Sequence, residues 1–420
     1  MGTIILGVNS AYHESSVCLL RDGVILGAVE EERFNQVKHA KHSRVDNPDE
    51  LPDRAMEWAL RHAGITADQV DHIAFSFDPE ARLEANRNLG EKNIPAGDYG
   101  TPEGEDTFHR HLHMAAAELK RRFPKAEFHF LPHHLCHAGS AFYPSRHEKA
   151  AVMTIDGIGE FTTTWLGIGD GNKLTPVLEI PYPNSLGFVW EKMSEHLGFD
   201  IYGGPGKVMG YACISDPIGE DTGVDYADRF RQIIRLTDTG FTVDNDAMRF
   251  RTTDFSGLEP YFGPRRRSII DRYEEASIAA GLQVVTEEVF VHLARILHRK
   301  TGLDALCMAG GVTLNCVANS RILRETPFKH LHVQPAANDG GTAIGAACHL
   351  WCHILGNTKR PRLEHTYLGP EYSETEIKSA LDAAGLKGEK ADDLPARVAR
   401  MVYDGSVVAW FQGRLEFGPR

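Results

Sequence analysis

Two stretches of this chain follow one plan, and no other feature restricts its fold so strongly. "IILGVNSAYHESSVCLLRDGVI", from Ile4, and "AVMTIDGIGEFTTTWLGIGDGNKL", which follows Ala150, each read as an apolar strand, a turn of small and polar residues, a second strand and an Asp-Gly hairpin. When the two are overlaid, Asp156 takes the place of Asn9. A hairpin-led unit met twice, each time followed by helices and further strands, predicts a duplicated α/β architecture with a cleft between the halves.

The remaining segments fit that plan. "DELPDRAMEWALRHAG" reads as an amphipathic helix, acidic at its start and ended by Gly64. Residues 71–77 form a further strand, and 80–105, polar with Gly and Pro, an excursion over the surface. A helix over about 106–123 stops at Pro124, and the strand "EFHFL" follows. In the second half, "YGGPGKVMGYA" (202–212) is a glycine-rich turn with one lysine. "LCMAGGVTLNCVANSRIL" (306–323) and "HLHVQPAANDGGTAIGAACHLW" (330–351) each read as strand, turn and helix. Past Gly356 comes a linker, then two short helical patterns and a strand, "SVVAWFQGR".

Several classes of function are disfavoured at once. No apolar run approaches the roughly 20 residues that a membrane helix needs. "MGTIILGVNS" reads as a first strand and has no export pattern. The 7 cysteines are scattered and odd in number, without a C-x-x-C pair, which points to the reducing cytoplasm. A net charge of -13 argues against a broad nucleic-acid surface.

"LPHHLCHAGSAFYP" gathers His133, His134 and His137 within five positions. His133 and His137 stand four apart, so on a helix they share one face and suit a common metal ion. With 21 histidines in the chain, chance alone supplies roughly one such pair. There are four: His109/His113, His129/His133, His133/His137 and His349/His353. Spacing alone therefore selects nothing. His109/His113 reads as a solvated helix face beside Arg110 and Lys120, His349/His353 as core beside Trp351, and His129/His133 straddles a strand and a turn. His133/His137 has carboxylates to join it: Asp156 at the end of a strand and Asp339 in the turn of "AANDGG". Two imidazoles and two carboxylates form a mixed N/O set that suits iron, manganese or zinc.

Three glycine-rich turns, Asp156-Gly157-Ile158-Gly159, Gly203-Gly204-Pro205-Gly206-Lys207 and Gly310-Gly311, allow backbone N–H groups to approach phosphate oxygens. None matches G-x-x-x-x-G-K-[ST]. Together, in a duplicated chain, they favour a nucleotide held between two lobes.

"GVNSAYHESSVCLLRDG", "EEERF", "HHLCHAGSAF", "DGIGE", "GGPGKVMG", "AGGVTLN", "NDGG" and "GRLEFGPR" occur in this order across essentially the whole chain. Together they resemble the O-carbamoyltransferases of nodulation-factor and antibiotic biosynthesis. The resemblance implies a duplicated domain of the actin/sugar-kinase/heat-shock-ATPase superfamily over residues 1–356. Residues 357–420 would be a linker and the start of a second α/β domain, which makes carbamoyl adenylate. It implies that carbamoyl phosphate and ATP give the adenylate, whose carbamoyl group passes to a hydroxyl of a sugar or natural-product acceptor. It implies iron, or another divalent transition metal, on His133, His137, Asp156 and Asp339. His13, in "AYHES", would stand beside the carbamoyl group, with Gly157, Gly159, Lys207, Gly311 and Asn315 on the ATP-binding loops. In that family "GR-x-EFGPR" runs on into the adenylate-forming domain, whereas this chain stops at Arg420, so adenylate formation is expected to fail in the chain alone. The alternatives are a threonylcarbamoyl-type transferase acting on tRNA, which the net charge disfavours, and a non-catalytic actin-like nucleotide-binding protein.

Overall fold

The computed structural model describes residues 2–201, 203–219, 223–266 and 272–419. A first sheet takes β1 (Ile4–Asn9), β2 (Ser16–Arg21), β3 (Val24–Glu30), β4 (His72–Phe75) and β5 (Glu127–Phe130), in the order β3-β2-β1-β4-β5. β1, β2 and β3 meander antiparallel, and β4 and β5 join parallel to β1. The second half contributes β6 (Lys149–Ile155), β7 (Thr162–Asp170) and β8 (Lys173–Pro181), then a separate hairpin, β9 (Ile234–Thr237) with β10 (Gly240–Val243). β11 (Ala305–Ala309) and β12 (His330–Val333) complete a second sheet of order β12-β11-β6-β7-β8.

Exchanging β1, β2, β3, β4 and β5 for β6, β7, β8, β11 and β12 reproduces both the order and the strand directions. The duplication expected from the two hairpin-led stretches is therefore present in the topology. The architecture is a duplicated α/β fold built on two five-stranded mixed sheets of the same topology. The central strand β1 is buried along its whole length, which explains why "IILGVN" is apolar without alternation.

The two halves exchange helices. The helix His133–Phe142 leaves β5 yet packs on β6 and β11, whereas the helix Thr342–His349 leaves β12 yet packs on β1 and β2. These helices also cross each other. A Cβ on Gly345 would lie 1.7 Å from the Cys136 carbonyl oxygen, so glycine is required where the two backbones meet.

Three local expectations change. Residues 80–105 are not a bare excursion, because Pro79–Asn86 is a helix capped by the Asp78 carboxylate, which accepts from the N–H groups of Glu80 and Ala81. The next helix, Pro102–Arg122, starts earlier than expected, with Thr101 as its cap. Arg82 and Glu105 join these two helices through buried hydrogen bonds of 2.8 and 2.7 Å, a long-range pairing that local composition cannot reveal. "GGPGKVMG" likewise lies mostly in a helix, Gly204–Tyr211, with Pro205 in its first turn.

Residues 357–419 include two helices, Glu374–Ala383 and Leu394–Tyr403, neither of which buries a residue. The expected strand "SVVAWFQGR" does not form among the described residues, since no neighbouring strand offers it a ladder. Val407 there is wholly exposed, at 101 %. The tail then returns to the first lobe, where Phe417 is buried and the Gly418 N–H donates to Glu30 at 2.8 Å. Among the described residues no helix is long and apolar enough to cross a membrane.

Candidate active site

The crossing of the exchanged helices positions four side chains. His133 and His137 sit one turn apart on the helix after β5, Asp156 directly follows β6, and Asp339 opens the short turn before Thr342–His349. The His133 Nε2 lies 3.4 Å from Asp156 Oδ2 and 3.5 Å from Asp339 Oδ1. The His137 Nε2 lies 3.5 Å from each of the same two oxygens, and the two Nε2 atoms are 3.1 Å apart. These are five of the six edges of a tetrahedron, and all four atoms lie within 4.8 Å of one another. A regular tetrahedron with edges of about 3.4 Å has its corners about 2.1 Å from its centre, the bond length of a first-row ion to imidazole nitrogen or carboxylate oxygen.

All four side chains are buried. Burial works against charge on each, yet the opposite charges prevail: the carboxylates lift both imidazoles above their ordinary range, and the imidazoles hold both carboxylates below theirs. Two protonated Nε2 atoms so close together repel, whereas one central cation in place of the protons meets four lone pairs. The donor set and the spacing thus fit a divalent transition ion. Outer contacts hold the ligands in place. The His133 Nδ1 lies 3.3 Å from the Ser76 carbonyl oxygen, and Asp156 Oδ1 accepts the Gly311 N–H at 2.7 Å.

Asp156 and Asp339 also line a cleft of about 1160 Å³ with walls from both halves. His13 opens onto it. Partial burial opposes protonation of His13, but the carboxylates of Asp339, Glu14 and Glu191 outweigh this and push it up to about 10. Glu14 stands between two imidazoles, 3.0 Å from His39 Nδ1 and 3.7 Å from His13 Nδ1. Both Glu14 and His39 have positive φ, 56° and 62°, a conformation uncommon outside glycine. The Glu14 N–H donates to the His39 carbonyl at 2.7 Å and ties the two turns together.

Of the loop residues expected to meet ATP, Gly157, Gly311 and Asn315 line the cleft. The close approach to the Gly157 backbone depends on Gly187, where a Cβ would come within 2.6 Å of the Gly157 Cα. Gly159 sits behind the cleft wall, where its carbonyl accepts the Tyr12 hydroxyl at 3.0 Å. The Asn315 side chain is already committed to Gln283 at 2.8 and 3.0 Å and to capping the helix Cys316–Glu325. Lys207 does not reach the cleft, because its helical position turns it outward to Asp200, 2.9 Å away. Lys38 and Lys192 supply cleft cations instead.

Sequence reasoning also missed Glu191, on the helix Leu186–His196. Burial and the charges of Asp156 and Asp339 push its carboxyl up to about 8, with His13 acting in the opposite sense. The only signal for Glu14 was its place beside His13 in "AYHES"; Glu191 had none, since its cleft neighbours lie far away in the chain.

Residues 4–348 match the family model described as the carbamoyltransferase N-terminus. The chain is 37% identical over its whole length to an uncharacterised protein of Synechocystis, spanning 69% of that protein. It is 33% identical to nodulation protein NolNO of Sinorhizobium fredii, over 98% of this chain and 57% of that one. A 149-residue stretch, 35% of this chain and 27% of the other, is 33% identical to the 3'-hydroxymethylcephem-O-carbamoyltransferase of Streptomyces clavuligerus.

Proposed function

The chain belongs to the carbamoyltransferase family, and on that premise we propose that its cleft takes carbamoyl adenylate and transfers the carbamoyl group to a hydroxyl of a sugar or natural-product acceptor. Carbamoyl phosphate and ATP are the sources of that adenylate. One observation carries the reading: the His133–His137–Asp156–Asp339 tetrahedron and His13 address the same cleft, with Asp339 facing both.

Iron, or another divalent transition ion on those four ligands, would supply Lewis-acid and template chemistry toward the phosphate. The chain's own groups do the rest. In the transfer step the acceptor oxygen bonds to the carbamoyl carbon, the bond from that carbon to the phosphate oxygen breaks, and AMP leaves. A neutral His13 would accept the hydroxyl proton; a protonated His13 donates to the carbamoyl oxygen as charge gathers there, and the hydroxyl proton then leaves on the phosphate of the departing AMP. The surrounding carboxylates favour the protonated form. Glu14, between His13 and His39, fixes the imidazole that performs this step.

The test is acceptor-dependent AMP release. The purified chain, loaded with iron and given carbamoyl adenylate, is expected to release AMP when a hydroxylated acceptor is added and to carbamoylate that acceptor. Release at the same slow rate with and without every acceptor tried, by protein with the four-ligand site filled, would count against transfer.

A further inference from the structure

The first lobe holds a second group of side chains with metal-ligand chemistry, on its outer surface. His109 and His113 lie one turn apart on Pro102–Arg122, and both Nε2 atoms are 2.9 Å from Oε1 of Glu80 on the neighbouring helix Pro79–Asn86. The three ligand atoms lie within 4.8 Å of one another. Glu80 is the most open, with 68% of its side chain exposed, and His113 follows at 45%.

The helices are fixed independently of this group. Buried Arg82 grips Glu105 on one side, and Arg87 reaches Asp106 at 2.8 Å further along. The imidazoles and the carboxylate are therefore held together by a scaffold that does not depend on them, as a ligand site requires. In the metal-free protein Glu80 accepts an N–H from each ring. With both Nε2 atoms deprotonated, the same three atoms offer lone pairs within reach of one ion, which would keep a coordination position open to solvent. A third group, His72, Glu127 and His129 on the edges of β4 and β5, converges less well: Glu127 stays 3.7 and 3.8 Å from the two rings.

We propose that Glu80, His109 and His113 form a second, solvent-facing site for a divalent transition ion of the zinc class, separate from the buried tetrahedral centre. Two imidazoles and one carboxylate suit zinc, nickel or copper and not calcium or magnesium, which take oxygen shells. The bound ion clamps two helices and stabilises the lobe by mass action.

Cobalt(II) is the probe, because its visible absorption reports the ligand field. The chelator-stripped 420-residue chain is expected to bind two cobalt ions, and zinc to displace both. His109→Ala/His113→Ala is expected to bind one, and His133→Ala/His137→Ala to retain the surface ion. Glu80→Gln is expected to weaken the surface ion by at least ~10-fold, since even an outer-shell change has that effect. The three surface side chains are exposed enough for the first and last variants to fold, which circular dichroism checks. Unchanged cobalt stoichiometry and affinity in folded His109→Ala/His113→Ala protein would overturn the proposal. So would loss of both ions in folded His133→Ala/His137→Ala protein.

Discussion

The Nε2 atoms of His133 and His137 face each other at 3.1 Å, and one oxygen each from Asp156 and Asp339 lies 3.4–3.5 Å from both. The four side chains come from three chain segments, with Asp339 far from the others in sequence, and the crossing of the exchanged helices brings them together. The four-residue cluster, the cleft and the duplication are thus one structural arrangement.

His137→Ala removes one corner of the tetrahedron. The buried ion should fall to a small fraction of its wild-type occupancy after dialysis against a mild chelator, measured by elemental analysis. Full retention by the folded variant would show that the ligand set is wrong.

His13→Ala should slow transfer from carbamoyl adenylate by ~100-fold, the loss expected for one acid–base or oxyanion group. Nucleotide affinity should stay within about twofold, because His13 is assigned to the carbamoyl group and not to the phosphates. Weakened nucleotide binding with the metal intact would reassign the residue to binding.

Binding of the buried ion should lower the pKa of His13. In metal-free protein Asp339 and its neighbours push His13 up to about 10; a divalent cation on Asp339 cancels much of that attraction. An NMR titration of the His13 ring should therefore move toward neutral pH on loading. The sign for stability follows: in metal-free protein the His13 contribution is complete below its unfolded value of about 6.5 and is lost as pH rises through about 10. An unchanged midpoint on loading would separate His13 electrostatically from the centre.

Gly345→Ala places a methyl group 1.7 Å from the Cys136 carbonyl oxygen and forces the two site-bearing helices apart. A loss of about 1–3 kcal/mol or more in urea unfolding is expected, as for overpacking of a tight contact. Metal affinity should fall with it, since His133 and His137 lie on one of these helices and Asp339 leads into the other.

Arg82→Ala removes the cation that pairs with the buried Glu105 carboxylate at 2.7–2.8 Å and leaves that carboxylate the Gly100 N–H, also at 2.7 Å. The cost should be about 3–5 kcal/mol in urea unfolding, and replacing both residues by apolar ones should recover much of it. A single-variant loss below about 1 kcal/mol would mean that water reaches the pair.

The duplicated fold was legible because Asp22-Gly23 and Asp170-Gly171 punctuate the same strand pattern twice. The ligand helix was legible because an i,i+4 pair depends only on local geometry. Pro79–Asn86 was hidden because its cap and its Arg82–Glu105 brace lie in a segment whose composition reads as loop. Lys207 was misplaced because its glycine-rich context suggested a phosphate loop, whereas the segment is helical and points the lysine at Asp200. The Glu80 contact that joins His109 to His113 crosses between two helices, so their spacing alone read as a solvated face.

The most direct measurement is anomalous diffraction at the absorption edge of the bound metal, on crystals of iron-loaded protein. The expected result is a peak about 2.1 Å from the Nε2 atoms of His133 and His137 and from one carboxylate oxygen each of Asp156 and Asp339. A fully loaded crystal with no peak between those four side chains, or with the two imidazoles turned away from it, would contradict the buried centre on which the proposed chemistry rests.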